Sequence, residues 1–245
     1  MAGIRDLPAG RAALLVAFLA TASPVAADEP NDPIEPINRT IFALNELLDR
    51  MVLEPASIVY GELPQPVRNG VRNFLDNLRA PIVIANNLLQ GETDRAGVMM
   101  ARLMINSTLG LFGLYDLAAD LGHPKHDEDF GQTLAVWGMG EGPYVVLPLL
   151  GPSNVRDALG RVVDVYAFDV VGQVAPTDVD IARAGADAVD TRQRYTNIVN
   201  DLRANSLDRY ATVRSAYQQR RAAEIRNGAP LVDDEAYDDI FREEE

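Results

Sequence analysis

Nearly every residue over 98–114 is apolar, yet Arg102 and Asn106 fall with Arg95 on one narrow stripe at helical spacings of seven and four. A surface helix in water normally carries a wider polar face than this. Such a helix is either a core element with one wet edge, or an element whose outside meets lipid and whose polar stripe points inward. The pattern alone leaves both arrangements open.

The remaining periodic segments are helical as well. Ile41, Leu44, Leu48 and Met51 share a face, widened by Phe42 and Leu47, and Pro55 is expected to end that run. Pro64 and Pro66 open a second helix whose stripe is Val67, Val71, Phe74, Leu75 and Leu78, backed by Arg68, Arg72, Asp76 and Arg79. Pro81 is expected to close it. A short helix over residues 82–90 then stops at Gly91, and Thr93 or Asp94 can cap the next. Ser153 or Asn154 opens a helix through Val155, Leu159, Val162, Val163 and Tyr166. Beyond Pro176 come two charged helices, one through Val189, Tyr195, Ile198, Val199 and Leu202, the other through Leu207, Tyr210, Val213 and Tyr217. Residues 145–150 are the only strand-like run, and Pro148 interrupts it. No period-two alternation is sustained enough to predict a sheet.

The two ends read differently from this middle. Arg5 and Arg11 precede an apolar stretch over residues 12–20, and Val25 and Ala27 put small residues at the −3 and −1 positions of a cleavage site. That is the pattern of a signal peptide over residues 1–27 with Asp28 as the mature start, since the stretch falls well short of the ~20 residues needed to span a bilayer. A helical domain is expected over residues 28–226. From Asn227 the composition turns acidic through Asp233, Asp234, Glu235, Asp238, Asp239 and Glu243, so residues 227–245 are expected to form a disordered tail.

Composition removes several functions. A formal charge of −14 over 245 residues, without clustered Lys and Arg, argues against nucleic acid. It also means that any membrane attraction must come from apolar area. The chain contains no cysteine, which excludes disulfides, thiolate metal sites and a cysteine nucleophile.

Local motifs offer little chemistry. Gly138-Met139-Gly140-Glu141-Gly142-Pro143-Tyr144 is glycine-rich, but Pro143 stands where a phosphate-binding loop needs its lysine or third glycine, and no strand leads in. It reads as a tight turn or a close-approach segment. His123 and His126 lie in an acidic loop at a spacing, across Pro124, that matches no helical ligand pair, so no metal or cofactor is expected. A serine-hydrolase triad built on Ser107 or Ser153 is not signalled by any Gly-x-Ser-x-Gly motif.

Several ordered blocks resemble a known family. Asp32-Pro33-Ile34-Glu35-Pro36-Ile37-Asn38-Arg39 is similar to the family's opening motif, and Leu63-Pro64-Gln65-Pro66-Val67-Arg68-Asn69-Gly70 to its second. Arg102-Leu103-Met104-Ile105-Asn106-Ser107-Thr108-Leu109-Gly110 and Gly113-Leu114-Tyr115-Asp116 follow in register. Glu128-Asp129-Phe130-Gly131-Gln132-Thr133-Leu134 then leads through the glycine segment to Leu147-Pro148-Leu149-Leu150-Gly151-Pro152-Ser153. On these blocks the chain resembles the MlaA (VacJ) family of outer-membrane phospholipid-transport lipoproteins.

The resemblance implies an all-α, ring-shaped protein with a glycine-rich hairpin, an apolar outer belt and a polar central channel in the inner leaflet of the outer membrane. It implies phospholipid as cargo, a trimeric outer-membrane porin as associate and a soluble periplasmic lipid carrier as recipient. On this reading Arg102 and Asn106 line the channel, while Gly138, Gly140, Gly142, Pro143 and Tyr144 shape its mouth. No bond is broken, so no enzyme activity is expected. Two departures stand out: the family's lipidated cysteine is absent, so lipidation is not expected, and Ala135 stands where glycine is common. The alternatives are a structural porin-associated envelope protein that moves no lipid, and a phospholipase that depends on His123 or His126.

Overall fold

The computed structural model describes residues 31–228. The expected signal peptide lies outside the described residues, as does the acidic tail beyond Gly228.

The chain starts with α1 (Glu35–Leu48), whose first turn holds Pro36, where a missing N–H costs nothing. Pro55 does not stop the run as expected. A π-helical turn (Asp49–Leu53) follows, in which Glu54 N–H reaches the Asp49 carbonyl, and α2 (Glu54–Gly61) begins with Pro55 in its first turn. The wider turn re-registers the hydrogen-bond ladder, so that proline lands where a free N–H is not needed.

Pro81 does not close its helix either. One continuous helix, α3 (Gln65–Gln90), replaces the two expected, with Pro64 as N-cap, Pro66 in the first turn and Pro81 inside. The missing Pro81 N–H leaves the Asn77 carbonyl without its helical partner, a cost of about 3 kcal/mol. Packing offsets it: Ala80, Val83 and Ile84 form an apolar cluster with Met99 and the flank of Leu103 on α4 (Thr93–Thr108). Gly91 at φ 80° ends α3, and Glu92 N–H closes back on the Asn87 carbonyl at 2.9 Å. Glu92 is the N-cap of α4, without a side-chain bond, rather than Thr93 or Asp94.

After a turn at residues 109–113 come α5 (Leu117–Asp120), capped by Asp116, and α6 (Phe130–Val136), capped by Asp129. A two-stranded antiparallel hairpin of β1 (Tyr144–Leu147) and β2 (Gly151–Asn154) follows, pairing Tyr144 with Asn154 and Leu147 with Gly151. Sequence periodicity missed it because each strand has only four residues and Pro148 falls in the connecting turn. Asn154 caps α7 (Val155–Val163), accepting from Asp157 N–H at 2.7 Å. A second π turn (Asp164–Phe168) and α8 (Val170–Val174) lead to α9 (Thr177–Arg194), α10 (Thr196–Asn205) and α11 (Arg209–Ile225). The charged helix expected through Val189 and Leu202 is thus broken at Tyr195, and Leu207 lies outside α11. The main packed pairs are α3 on α4, α6 on α7 and α9 on α2. Among the described residues the fold is all-α apart from one hairpin.

Backbones approach very closely where α6 meets α7. A Cβ on Gly160 would lie 2.3 Å from the Gly131 nitrogen, so only glycine permits the contact. A second apolar cluster, Tyr144, Val146 and Tyr210 with Ile41, Phe42 and Tyr217, holds the hairpin between α1 and α11.

Candidate functional site

Polarity is inverted in this fold. Among the described residues nine apolar side chains are buried against nineteen polar or charged ones, while thirty-eight large apolar side chains are exposed. Soluble interiors bury apolar groups and leave charges outside, so an interior richer in Asn, Asp and Arg than in Leu is the informative observation. The outward groups follow the helices: Val155, Leu159 and Val162 run along α7, and Met100 and Met104 along α4. No helix among the described residues is long and apolar enough to cross a membrane.

The buried polar groups form connected layers. On α3, Asn86 donates to Asp164 at 2.8 Å and accepts from Thr133 at 2.8 Å. Gln90 donates to Glu128 at 3.1 Å, and Arg95 pairs with the same carboxylate at 2.6 Å. Burial pushes the Glu128 and Asp164 carboxyls above their ordinary pKa values, against the hydrogen bonds that favour the charged forms. Asp190 is held by Arg72, Arg194 and Tyr60, and Asp129 by the fork of Arg221 at 2.6 and 2.7 Å. Asp32 receives Arg214 at 2.7 Å and the Tyr210 hydroxyl.

Arg102 and Asn106, both 5% exposed, belong to this network. Arg102 pairs with Asp116 at 2.8 Å and donates to the His123 carbonyl at 2.6 Å. Asn106 donates to Asp116 at 2.9 Å and accepts from Ala118 N–H at 3.0 Å. Burial raises the Asp116 carboxyl, but the bonds from Arg102 and Asn106 outweigh it and hold the pKa below the usual range. The stripe thus ties α4 to the capped start of α5. It also forms one wall of a narrow polar cavity of about 20 Å³, room for one water, shared with Asn73, Asp76, Asn77, Arg79 and Lys125. Lys125 pairs with Asp76 at 2.8 Å. His126 sits at the same wall within 3.0 Å of the Asn87 amide, and burial, reinforced by Arg95, lowers its pKa to about 4.

An apolar cleft of about 260 Å³ adjoins this polar cavity. Phe74, Leu78, Pro81, Leu103, Phe112 and Val171 line it, and Asn77 and Leu103 belong to both spaces. Phe112 comes from the turn at residues 109–113, where Leu111, Phe112 and Gly113 take φ of 53°, 60° and 92°. Two bulky residues in succession in the left-handed region cost of order 1–3 kcal/mol each.

The glycine segment precedes the hairpin instead of forming it. Gly138 and Gly142 are at φ 90° and 67°, conformations that suit glycine, whereas Gly140 is not at positive φ. Tyr144 is fully buried in the second apolar cluster, its hydroxyl has no partner, and burial lifts its pKa to about 12. Pro143 contributes its carbonyl to Val155 N–H at 3.1 Å.

The motif residues hold the framework. Asn38 bonds Tyr144 O and Val146 N on β1. Arg39 forks onto Asp208 at 2.7 and 3.1 Å, joining α1 to the cap of α11. Phe130 N–H donates to Asp164 at 3.0 Å, Leu147 O accepts from Asn45, and Gly151 at φ 80° opens β2 after the Pro148 turn.

Neither Ser107, which accepts from Asn77, nor Ser153, which donates to the Asn154 carbonyl, hydrogen-bonds a histidine. Among the described residues no group of three His, Cys, Asp or Glu could hold a metal ion.

The family profile described as MlaA lipoprotein matches residues 30–224. The intermembrane phospholipid transport system lipoprotein MlaA of Escherichia coli is 35% identical over 207 residues, covering 82% of this chain and 80% of that protein. Its counterpart in Haemophilus influenzae is 33% identical over 220 residues, covering 88% of each. An uncharacterized protein of Rickettsia bellii is 35% identical over 198 residues, covering 80% and 78%. A solved structure from work on the structural basis for maintenance of bacterial outer membrane lipid asymmetry aligns with TM-score 0.71 at 32% identity, covering 79% of this chain and 98% of that one.

Proposed function

Because this chain belongs to the MlaA lipoprotein family, we propose that it removes mislocalised phospholipid from the outer leaflet of the outer membrane and passes it to a soluble periplasmic carrier, maintaining lipid asymmetry. The protein is a passive conduit: its apolar exterior sits at leaflet depth, on the periplasmic side and in association with a trimeric porin. Its polar interior receives the headgroup. Direction comes from downstream energy input, since a conduit with no differential affinity shifts no equilibrium.

The inverted polarity carries this reading. Burying so many charged groups in water would gain nothing over an apolar core, because desolvation offsets most of each ion pair's attraction. In a lipid surround the balance changes: apolar side chains face acyl chains, and polar groups must turn inward to find partners. Arg102, Asn106 and the α3 amides then form part of the polar lining, and the segment of Gly138, Gly140, Gly142 and Pro143 ahead of the hairpin forms a lip.

Lipid analysis of the purified chain is the first test. Protein extracted in a mild detergent and freed of bulk lipid is expected to retain phospholipid detectable by mass spectrometry. Protein that is folded yet free of lipid would favour a purely structural role.

A further inference from the structure

Between α5 and α6 the chain runs as a strap against α3 and α4. From His123 to Asp129 it forms neither helix nor strand, and among the described residues no backbone-to-backbone hydrogen bond involves residues 124–128. Lys125, His126 and Asp127 of the strap line the one-water polar cavity together with Ala80 of α3 and Met99 of α4. Side chains alone tie the strap to the two helices. Arg102 donates to the His123 carbonyl at 2.6 Å, Lys125 pairs with Asp76 at 2.8 Å, and His126 lies 3.0 Å from the Asn87 amide.

These ties differ in what breaking them costs. Leu121 and Pro124 are the only apolar side chains over residues 121–128, and both are exposed. The strap therefore buries no apolar side chain of its own, and lifting it gives up polar bonds that water can replace. The Lys125 pair is partly exposed at both partners, a setting in which an ion pair contributes little. Arg102, released from the His123 carbonyl, keeps Asp116. Glu128 is the exception: it is 1% exposed under Arg95 and Gln90, and a buried carboxylate stripped of its partners is expensive, so this end stays fixed. At the other end Gly122 stands at φ 86° with open space where a Cβ would be, free to turn.

We propose that residues 122–127 are a lid on the polar space between α3 and α4, pivoting between Gly122 and the anchored Glu128, and that its lifting gates the polar lining of the conduit. This rests on the reading above that the chain conducts lipid, and adds to it the element that opens the way.

The chain has no cysteine, so a single introduced thiol reports on its own site. Ala80→Cys and Met99→Cys lie in the cavity wall, and Val146→Cys is a buried reference in the second apolar cluster. Maleimide labelling of each full-length variant, folded in mild detergent and normalised to its unfolded rate, is expected to be at least tenfold faster at the two cavity thiols than at Val146→Cys. Adding Lys125→Ala should speed labelling at Ala80→Cys severalfold and leave Val146→Cys unchanged. Equal rates at cavity and reference thiols, or no response to Lys125→Ala, would overturn the lid.

Its role as a gate is read in cells. Asp76→Cys and Lys125→Cys are combined and joined by a short bis-methanethiosulfonate cross-linker, whose disulfide links a reductant cleaves. Surface phosphatidylethanolamine is expected to rise on cross-linking and to fall again on reduction. If the joined and reduced forms lower surface lipid equally while the wild-type chain is active, the gate fails and the transport reading stands. If the wild-type chain itself lowers no surface phospholipid, the transport reading fails and the gate with it, even where the thiols show the strap to open.

Discussion

Asn38 and Asn45 lie two helical turns apart on one face of α1, and each pairs both sides of its amide with the backbone of the hairpin. Asn38 donates to Tyr144 O at 3.0 Å and accepts from Val146 N at 2.9 Å, while Asn45 donates to Leu147 O at 2.9 Å and accepts from Leu149 N at 2.8 Å. The match is metric: seven residues of helix advance about 10.5 Å, and three residues of strand advance about 10 Å. The amides take the place of a neighbouring strand on the free edge of β1.

Replacing Asn38 with Leu strands a buried N–H and a buried C=O, so a loss of about 2–4 kcal/mol is expected. Asn45→Leu acts at a partly exposed edge and should cost about 1 kcal/mol. Hydrogen exchange separates the two, with the Val146 amide exchanging faster in the first variant and the Leu149 amide in the second. Unchanged protection at both would remove the ladder from the account.

The contact of α6 with α7 makes a sharper demand. Gly160→Ala drives a methyl into the Gly131 backbone, and a destabilisation of about 2–4 kcal/mol follows from overpacking that rigid helices cannot relieve. Chemical denaturation in detergent checks it. Gly97→Ala is the control, since a Cβ at Gly97 meets nothing within 4 Å and removes a helix-interior glycine.

His126 gives a pH signature. Its pKa falls to about 4 in the fold from an ordinary 6.5, so between those values the unfolded chain binds more protons than the native state. Stability from this group is therefore complete above pH 6.5 and is lost as pH falls toward 4. Glu128 and Asp164, whose pKa values are raised, act in the opposite sense on the acid side, so the comparison must be between wild type and His126→Gln. The variant should lose that part of the pH slope, of order 1–2 kcal/mol after solvent screening. Parallel melting curves for both proteins across pH 4–6.5 would contradict it.

The exterior of α7 is testable without disturbing the interior. Leu159 and Val162 are about half exposed on α7. The double change Leu159→Glu, Val162→Glu should leave helix content in detergent intact while lowering membrane retention by about 3–6 kcal/mol of lost apolar burial. Full retention in the membrane fraction would argue against lipid contact at this face.

Much of this architecture was legible in the sequence, and the failures have physical causes. Asn154 as a cap, Gly91 as a stop and the narrow stripe of Arg102 and Asn106 follow from local rules. Pro55 and Pro81 misled because a π turn accommodates one and core packing on α4 outweighs the other. The hairpin was hidden by its brevity, and the glycines expected to form it turned out to precede it. Asn86, Asn87 and Gln90 were missed as part of the buried layer because three amides on a helix resemble a solvated face; the partners Asp164, His126 and Glu128 arrive from 38 to 78 residues away.

The central claim concerns lipid in a living envelope, and surface phosphatidylethanolamine reports on it. Cells lacking the gene are labelled with an amine reagent that cannot pass the outer membrane, and compared with cells complemented by the wild-type chain or by an Asn38→Leu variant expressed at the same level. The account predicts increased labelling on deletion, reversal by the wild-type chain and poor reversal by the variant whose hairpin is unpinned. Equal labelling in all strains, with the protein present in the complemented cells, would contradict it.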